Sequence, residues 1–380
     1  MPTAATFDIQ GDNPTGVVRG LTQTLQTVAR PAGAMLFVSG ALGEKLPALA
    51  KALGDAGLGV PVLVAAGAGV LTERGEIEGQ SAACGLVWSG GRATPFSVSG
   101  QSADELGLAL ARAVSANSEP RSAATAIVFA RPNGVSPHVL DPLGDLGDIS
   151  LFGAGTVGDP GVVAIDAKGR TLDGGAAGLV LHGITRPLIG ASPACRLLMP
   201  LRTITETRGQ MVLEIEGEQA LDVLSSVAKD LTDQPLVFVV LSSEQGEGIA
   251  LSRRELLVRA VQGVDPVRRG LVISHEVQPG MRMAFAVRDG ATARKDLEAV
   301  VRELARETAG AAPRFGVYLN CAGRGSSLYG TPDVDIRILR ARLGELPIIG
   351  MQSSFEIAPV LGRPRLQLYT GVLGLFTAPS

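Results

Sequence analysis

The sequence predicts an α+β, or mixed α/β, protein in which mixed β-sheets are flanked by helices and are built from duplicated strand–helix–strand–hairpin units. Three observations lead to this class. Short apolar runs bounded by glycine and proline are typical of strands. Several stretches between them have helical periodicity and capping residues. The same order of apolar runs and polar turns occurs three times along the 380 residues.

The repeated order begins at Ala34, Thr125 and Phe315. In the first copy, the strand "AMLFVSG" is followed by a helical segment, a second strand "VPVLVAAG", a polar turn containing "GEIEG" and a third strand "SAACGLVWSG". The second copy runs from "TAIVFARPNG" to "AAGLVLHG", and the third runs from "FGVYLNCAGRG" to "LQLYTGVLGLF". Internal similarity at a period of about 20–50 residues reports architecture. We therefore expect the three segments to fold as one supersecondary unit that was duplicated inside a globular body.

The clearest helices are marked by their ends. One opens with the Asn-Pro pair at Asn13, a capping residue followed by proline at the first helical position. A second opens at Ser102, which lies three residues before Glu105 in a capping box. A third, over residues 292–310, has an amphipathic apolar stripe and ends at glycine. These helices are predicted to cover the sheets.

The middle of the chain begins a new unit. The stretch "TETRGQMVLEIEGEQALDVL" has the pattern of a strand, a glycine turn and a helix. A chain of 380 residues is long for one domain and comfortable for two. We place the division between a domain of residues 1–205 and a domain of residues 206–380.

Composition excludes several classes of protein. With 46% hydrophobic and 19% charged residues, the chain can bury a large core and does not resemble a disordered one. A net charge of −3 argues against a nucleic-acid or anionic-membrane surface. No apolar stretch approaches the roughly 18 residues of a membrane span, and the N-terminus lacks the pattern of a signal peptide. We expect a cytoplasmic protein, of a composition that suits a bacterial source, without nucleic-acid or membrane partners.

Cysteines and histidines do not have the spacing of a metal or redox centre. The three cysteines are an odd number without a C-x-x-C pair, which argues against a disulfide scaffold and a cysteine zinc site. The three histidines, His138, His182 and His275, are each isolated in the sequence. We expect no metal.

The stretch "GAGTVG" (residues 153–158) fits the G-x-G-x-x-G pattern of dinucleotide sites. That pattern holds a pyrophosphate only when a helix starts at its last glycine. Here "DPG" and a new strand, "VVAID", follow instead. We predict a turn between strands and no nucleotide or other cofactor.

The stretch "LNCAGRG" carries the candidate site. An apolar strand ends there in a cysteine, followed by an arginine between two glycines. The predicted site residues are Cys321, Gly323, Arg324 and Gly325, with Ser353, Ser354 and Glu356 on a facing wall. In a structural interpretation, the glycines form a tight turn and Arg324 pairs with Glu356. In a functional interpretation, both charges project into one crevice and hold a zwitterion at its carboxylate and ammonium groups. Both interpretations remain open from the residues.

Several stretches together resemble the FIST family (F-box and intracellular signal transduction). The N-terminal half of the family resembles "VPVLVAAGAGVLTERGEIEGQSAACGLVWSG", and the C-terminal domain resembles "GLVISHEVQPGMRMAFAVRDG", "FGVYLNCAGRGSSLYG" and "LPIIGMQSSFEIAPV". The family often has Gly-Glu-Ile-Gly-Pro where residues 355–359 are "FEIAP". No F-box is expected, so the ubiquitin-ligase role of some relatives is not implied.

The resemblance implies a small-ligand-binding protein of sensory signal transduction. Its ligand is expected to be an amino acid or another small carboxylate, no catalysis is expected, and the output would require a separate signalling protein. Two alternatives remain. The first is an enzyme, a hydrolase or transferase with Cys321 as nucleophile, which would need a base within hydrogen-bond reach. The second is a haem-based sensor, since some relatives bind haem.

Overall fold

The computed structural model describes most of the chain. The described residues are 3–119, 123–133, 135–144, 147, 149–184, 186–229, 231, 236–242, 256–308, 311–360 and 362–377. They belong to two compact units. Unit 1 comprises Met1–Ala191, Leu297–Leu366 and Thr370–Ser380, and unit 2 comprises Ser192–Asp296 and Gln367–Tyr369.

Unit 1 contains three copies of one arrangement of strands and helices. The first copy consists of β1 (Ala4–Gln10), α1 (Pro14–Thr27), β2 (Pro31–Ser39), α2 (Ala41–Glu44), α3 (Leu46–Asp55), β3 (Val62–Ala66), β4 (Gly69–Thr72), β5 (Gly75–Glu78) and β6 (Ala82–Ser89). The second consists of β7 (Arg92–Val98), α4 (Ala103–Ala116), β8 (Ala124–Ala130), a 3-10 helix (Pro137–Leu143), β9 (Ile149–Gly155), β10 (Val162–Ile165), β11 (Thr171–Asp173) and β12 (Ala176–His182). The third consists of β13 (Leu188–Pro193), α6 (Gly290–Glu307), β22 (Pro313–Cys321), α7 (Ser326–Tyr329), α8 (Val334–Leu343), β23 (Ile348–Ser353), β24 (Glu356–Val360), β25 (Arg363–Gln367) and β26 (Thr370–Thr377).

Each copy builds a sheet around one pair of parallel strands. These pairs are β2 with β3, β8 with β9 and β22 with β23. The last strand of each copy lies antiparallel to the first member of the pair, and the first strand of the copy lies beyond it. The strand orders are therefore β1-β6-β2-β3, β7-β12-β8-β9 and β13-β26-β22-β23. Parallel strands covered on both faces are apolar throughout, as these are over most of their length.

The two-stranded hairpin of each copy completes the sheet of another copy. β4 and β5 of copy 1 join β23, β10 and β11 of copy 2 join β3, and β24 and β25 of copy 3 join β9. We number each sheet by the copy that supplies its parallel pair. The hairpin of copy 1 thus belongs to sheet 3, that of copy 2 to sheet 1 and that of copy 3 to sheet 2. The exchange is cyclic, so residues distant in sequence meet where a hairpin joins a foreign sheet.

The inner faces of the three sheets share one apolar core. Aromatic contacts join every pair of sheets in it. Ring centroids are 5.3 Å apart for Phe37 and Phe129, which joins sheets 1 and 2. The distance is 5.9 Å for Trp88 and Phe315, which joins sheets 1 and 3. Phe152 and Phe376 join sheets 2 and 3 at 6.1 Å.

Amphipathic helices cover the outer faces of two of these sheets. α1 and α3 bury Leu21 and Leu53 against sheet 1. α6 and α8 bury Leu297, Val301 and Leu339 against sheet 3. Side chains on the outer face of β22 and β23 are therefore enclosed by helices, which determines the surroundings of the candidate site.

Unit 2 is inserted between β13 and the part of α6 that belongs to unit 1. It contains β14 (Cys195–Leu197), β15 (Arg202–Arg208), β16 (Met211–Ile215), β17 (Glu218–Gln219), α5 (Ala220–Ala228), β18 (Val237–Ser242), β19 (Leu256–Asp265), β20 (Gly270–Ile273) and β21 (Arg282–Arg288). The strand order is β14-β21-β15-β16-β20-β19-β18, and β18 pairs again with β21. The antiparallel pairings therefore close on themselves. The predicted domain division at residues 205 and 206 lies within β15.

The predicted fold class is confirmed: mixed sheets are flanked by helices. The three segments that begin at Ala34, Thr125 and Phe315 share one strand order, while their origin by duplication stays a prediction. The stretch "GAGTVG" ends β9 and then forms the connection to β10. No helix among the described residues combines the length and the apolar character that crossing a membrane requires.

Candidate functional site

Arg324 lies in a buried ion pair and is 1% exposed. Its Nε donates to Asp335 Oδ2 at 2.8 Å, and a terminal nitrogen donates to Oδ1 at 3.2 Å. The hydroxyls of Tyr318 and Tyr329 each donate to Asp335 at 2.7 Å. The Arg324 guanidinium, which we expected to bind a ligand or Glu356, makes its bidentate contact with Asp335 instead.

Electrostatics keep both members of this pair charged. Burial by itself raises the pKa of Asp335, but the Arg324 guanidinium and the two tyrosine hydroxyls hold that pKa below its ordinary value. Burial also raises the pKa of Tyr318, so its phenol remains a donor. Removing one partner of a buried pair leaves an uncompensated charge and destabilises a protein by about 3–5 kcal/mol. The Arg324–Asp335 pair thus fixes the turn after β22.

The turn at Gly325 is approached by a carboxylate from another copy. Gly325 has φ 68° and ψ −145°, a conformation that residues with a side chain rarely adopt. A Cβ atom at this position would overlap Glu78 Oε1 and would lie 2.8 Å from Gln352 Nε2. The backbone nitrogen of Ser326 donates to Glu78, with both carboxylate oxygens at 3.2 Å. The absence of a side chain at Gly325 therefore leaves room for the Glu78 carboxylate of the same protein.

The same hairpin makes a second polar contact with copy 3. The Glu76 nitrogen donates to Asp333 Oδ1 at 2.7 Å, and the Asp333 nitrogen donates to Glu76 Oε2 at 3.1 Å. Burial, together with the nearby Asp335 and Glu78 carboxylates, raises the pKa of Glu76 to about 8. The "GEIEG" stretch of copy 1 and the "NCAGRG" stretch of copy 3 therefore meet through the exchanged hairpin.

Glu356 is fully buried and forms a second polar group with Ser353. Ser353 Oγ lies 2.8 Å from Glu356 Oε1 and 3.0 Å from the backbone oxygen of Asn320. The Thr370 nitrogen donates to Glu356 Oε2 at 3.3 Å. Burial, only partly offset by these hydrogen bonds, raises the pKa of Glu356 to about 8.

The hydroxyl of Ser353 has one proton for two oxygen acceptors. A protonated Glu356 resolves this conflict, because it donates to Ser353 while Ser353 donates to the Asn320 oxygen. The hydrogen-bond geometry and the raised pKa of Glu356 agree on a neutral carboxyl at pH 7.

Asn320, near the end of β22, has a buried side chain without a hydrogen-bond partner among the described residues. It is 0% exposed, and neither Nδ2 nor Oδ1 is bonded. Its Cα partners in the sheet are Gln352 of β23 and Gly371 of β26. A buried polar group left unpaired costs about 1–3 kcal/mol. Such a group in a native structure requires an explanation, such as an ordered water or a ligand.

Equivalent positions in the three copies follow from the strand registers. Four polar residues of copy 3 replace apolar residues or glycine in the other two. In the order copy 1, copy 2 and copy 3, the equivalent sets are Leu36, Val128 and Tyr318; Val38, Ala130 and Asn320; Ala66, Gly155 and Gln352; and Val70, Val162 and Glu356. The shared framework does not need these polar groups, because two copies have none there. The substitutions indicate a role that is confined to copy 3.

The remaining predicted residues lie around these groups. Cys321 is partly exposed, and its carbonyl oxygen accepts from the Arg324 nitrogen at 2.7 Å. The Gly323 carbonyl accepts a hydrogen bond from the Ser327 hydroxyl at 2.7 Å. The Ser354 nitrogen donates to the Gly155 oxygen in sheet 2 at 3.1 Å. Of the predicted site residues, Ser353 and Glu356 are therefore in contact with each other. Arg324 lies in the predicted turn, but its acidic partner is Asp335, which was not predicted.

The histidines and the buried Cys84 take part in separate contacts. His138 Nδ1 lies 3.1 Å from Asp141 Oδ2, and His182 Nε2 donates to the Asn117 oxygen at 2.8 Å. Burial raises the pKa of Cys84 to about 12. Within the described ranges, no three potential metal ligands are grouped together.

Two family models match the chain. The FIST N domain matches residues 34–218, and the FIST C domain matches residues 218–359. The chain belongs to the FIST family. FIST domains are sensory domains of signal transduction. Glu78 lies in the FIST N match and the polar groups of copy 3 lie in the FIST C match, so the exchanged hairpin brings residues of the two matched regions into contact.

Similar proteins occur in mycobacteria. "Uncharacterized protein Mb0898c" from Mycobacterium bovis is 29% identical over 210 residues, which are 54% of this chain and 54% of that protein. "Uncharacterized protein Rv0628c" from Mycobacterium tuberculosis has the same identity and coverage. The match therefore spans about half the length of these relatives.

Sequence reasoning missed Tyr318, Asn320, Asp335 and Glu78. Asn320 lies within "LNCAGRG", and Tyr318 and Asp335 lie near it in the chain, but a strand pattern does not reveal which side chains lack a partner. A residue-by-residue alignment of the three copies would have placed Asn320 at the position that Val38 occupies in copy 1. The part played by Glu78 depends on the hairpin exchange, for which the sequence carries no local signal.

Proposed function

We propose that this FIST protein is a small-ligand-binding sensor whose ligand contacts the polar residues of copy 3 at the carboxyl ends of β22 and β23. One observation carries the proposal: the amide of Asn320 is buried and unpaired where copies 1 and 2 have Val38 and Ala130. Crevices at the carboxyl ends of parallel strands are common ligand sites. The residues proposed around the ligand are Cys321, Gly323, Arg324, Gly325, Ser353, Ser354 and Glu356, together with Asn320.

Energetics favour a ligand at this position. The unpaired amide of Asn320 destabilises the unliganded protein, by about 1–3 kcal/mol. A ligand that bonds to this amide removes that penalty, so the same group lowers stability alone and contributes to affinity in the complex. Amino acids and small carboxylates are the first compounds to test, and the signal would pass to a separate signalling protein.

A thermal-shift screen tests the proposal. A ligand that binds only the folded state raises the melting temperature. The screen contains amino acids, small carboxylates, amides, nucleotides and haem, and each is tested on the natural protein and on Asn320→Val. We expect at least one small polar compound to raise the melting temperature of the natural protein and to have no effect on Asn320→Val.

Ser39→Ala is the matched control. Ser39 is a buried polar residue of copy 1, and its hydroxyl donates to the Gln80 oxygen at 2.8 Å. This variant should lose stability and keep the response to the compound. A response retained by Asn320→Val would contradict the proposed site, and a response to haem alone would favour the haem-sensor alternative.

A further inference from the structure

The amide of Asn320 determines which chemical group it can recognise. Nδ2 provides donors and Oδ1 provides an acceptor, and both atoms are buried without a partner among the described residues. Side chains of opposed residues in a sheet lie on the same face, so Gln352 of β23 neighbours Asn320 of β22. Tyr318, two residues earlier, is on the same face, and its hydroxyl is bonded to Asp335 at 2.7 Å. A partner of Asn320 must supply an acceptor and a donor side by side.

The buried positive charge in this region already has a counter-charge. Among the described residues of copy 3, Arg324 is the buried cation, and Asp335 pairs with it at 2.8 Å with both side chains fully buried. Ser353 has a single hydroxyl proton for two neighbouring oxygens, which indicates that Glu356 is protonated and neutral. Glu78 adds a negative charge at the Ser326 nitrogen. A carboxylate on the ligand would thus be buried without its own counter-charge, which is strongly unfavourable.

We infer that the ligand group that meets Asn320 is uncharged and presents a hydrogen-bond donor beside an acceptor, as a primary amide, a lactam or a nucleobase edge does. Asparagine recognises such an edge with two parallel hydrogen bonds, as in its bidentate contact with adenine. The inference rests on the proposed function and narrows its ligand class, since a plain carboxylate lacks the donor. An amino acid would qualify through an amide group rather than through its carboxylate.

NMR of the ¹⁵N-labelled full chain tests the inference at the atom concerned. The side-chain NH₂ signals of Asn320 are assigned as those missing from Asn320→Val. Matched probes are then titrated: acetamide against acetate, propionamide against propionate, and methylammonium as the cation. We expect the amides to shift the Asn320 signals and to bind about tenfold or more tightly than the matched acids.

The outcomes separate this inference from the proposed function. If the carboxylates shift the Asn320 signals and the amides do not, the inference is wrong and the site still binds ligands. If no probe and no compound of the thermal-shift screen shifts these signals, and they show a nuclear Overhauser effect to a long-lived water, that water satisfies Asn320. Both the inference and the proposed function are then overturned. Asn320→Asp keeps the shape of the side chain but adds a charge, and it should lose the response to acetamide.

Discussion

At the scale of single residues, the polar groups of copy 3 have separate roles. The Arg324–Asp335 pair is saturated by the fork of the guanidinium and by two tyrosine hydroxyls, so it organises the turn. Asn320 is unsaturated, and this is why we assign recognition to Asn320. Glu356 lies between these two cases: its carboxyl group is hydrogen-bonded, like the Arg324–Asp335 pair, but it is held in its neutral form.

Glu356 predicts a specific pH dependence of stability. Its pKa is raised to about 8 in the folded protein from an ordinary 4.5, so the folded state binds more protons than the unfolded state between these values. The free energy of unfolding should therefore fall as the pH rises from about 4.5 to about 8. Glu356→Gln keeps both hydrogen bonds, since an amide can donate to Ser353 and accept from Thr370, but it cannot ionise.

Urea unfolding from pH 4.5 to pH 9 measures the effect. Glu356→Gln should resemble the natural protein at pH 4.5 and should be more stable at pH 8. Glu76, whose pKa is also raised to about 8, contributes a slope of the same sign, so only Glu76→Gln combined with Glu356→Gln should flatten the profile. If Glu356→Gln is less stable than the natural protein at pH 8, Glu356 functions as a carboxylate.

At the scale of elements, the turn between β22 and α7 depends on the hairpin of β4 and β5. Gly325→Ala would introduce strain, by about 1–3 kcal/mol, and would also overlap Glu78. Gly344 is a matched control, because it has nearly the same backbone at φ 67° and ψ −141° and a Cβ there meets nothing within 4 Å.

Chemical denaturation should therefore give a larger loss of stability for Gly325→Ala than for Gly344→Ala. Adding Glu78→Ala should recover part of the difference, since the overlap is then removed. Equal losses for both glycine variants, with no recovery, would show that Glu78 does not lie against this turn in solution.

At the scale of the whole molecule, unit 1 combines three equivalent copies through a cyclic exchange of hairpins. The strand runs and several helices could be predicted, because apolar periodicity and capping are local: α1 begins at Pro14 and α4 begins after Ser102. The exchange and the insertion of unit 2 could not, because pairing between distant segments leaves no local pattern.

The candidate site could be predicted in part for the same reason. The glycine pattern around Arg324 drew attention to this turn, and at Gly325 the group that approaches the backbone is Glu78 from copy 1. The partner of Arg324 is Asp335, eleven residues further on, rather than Glu356. The acidic partner of Arg324 and the carboxylate that approaches Gly325 are set by the packing of α8, which carries Asp335, and of the exchanged hairpin, which carries Glu78.

In the proposed function, copy 3 has polar residues for recognition where copies 1 and 2 have apolar ones for stability. The free energy of unfolding of Asn320→Val, measured by urea titration without ligand, tests this claim. Valine occupies the equivalent position in copy 1, so the variant should be more stable than the natural protein, by about 1–3 kcal/mol. The reciprocal change Val38→Asn should be destabilising. A loss of stability in Asn320→Val similar to that in Val38→Asn would contradict the claim, because Asn320 would then be a satisfied part of the framework.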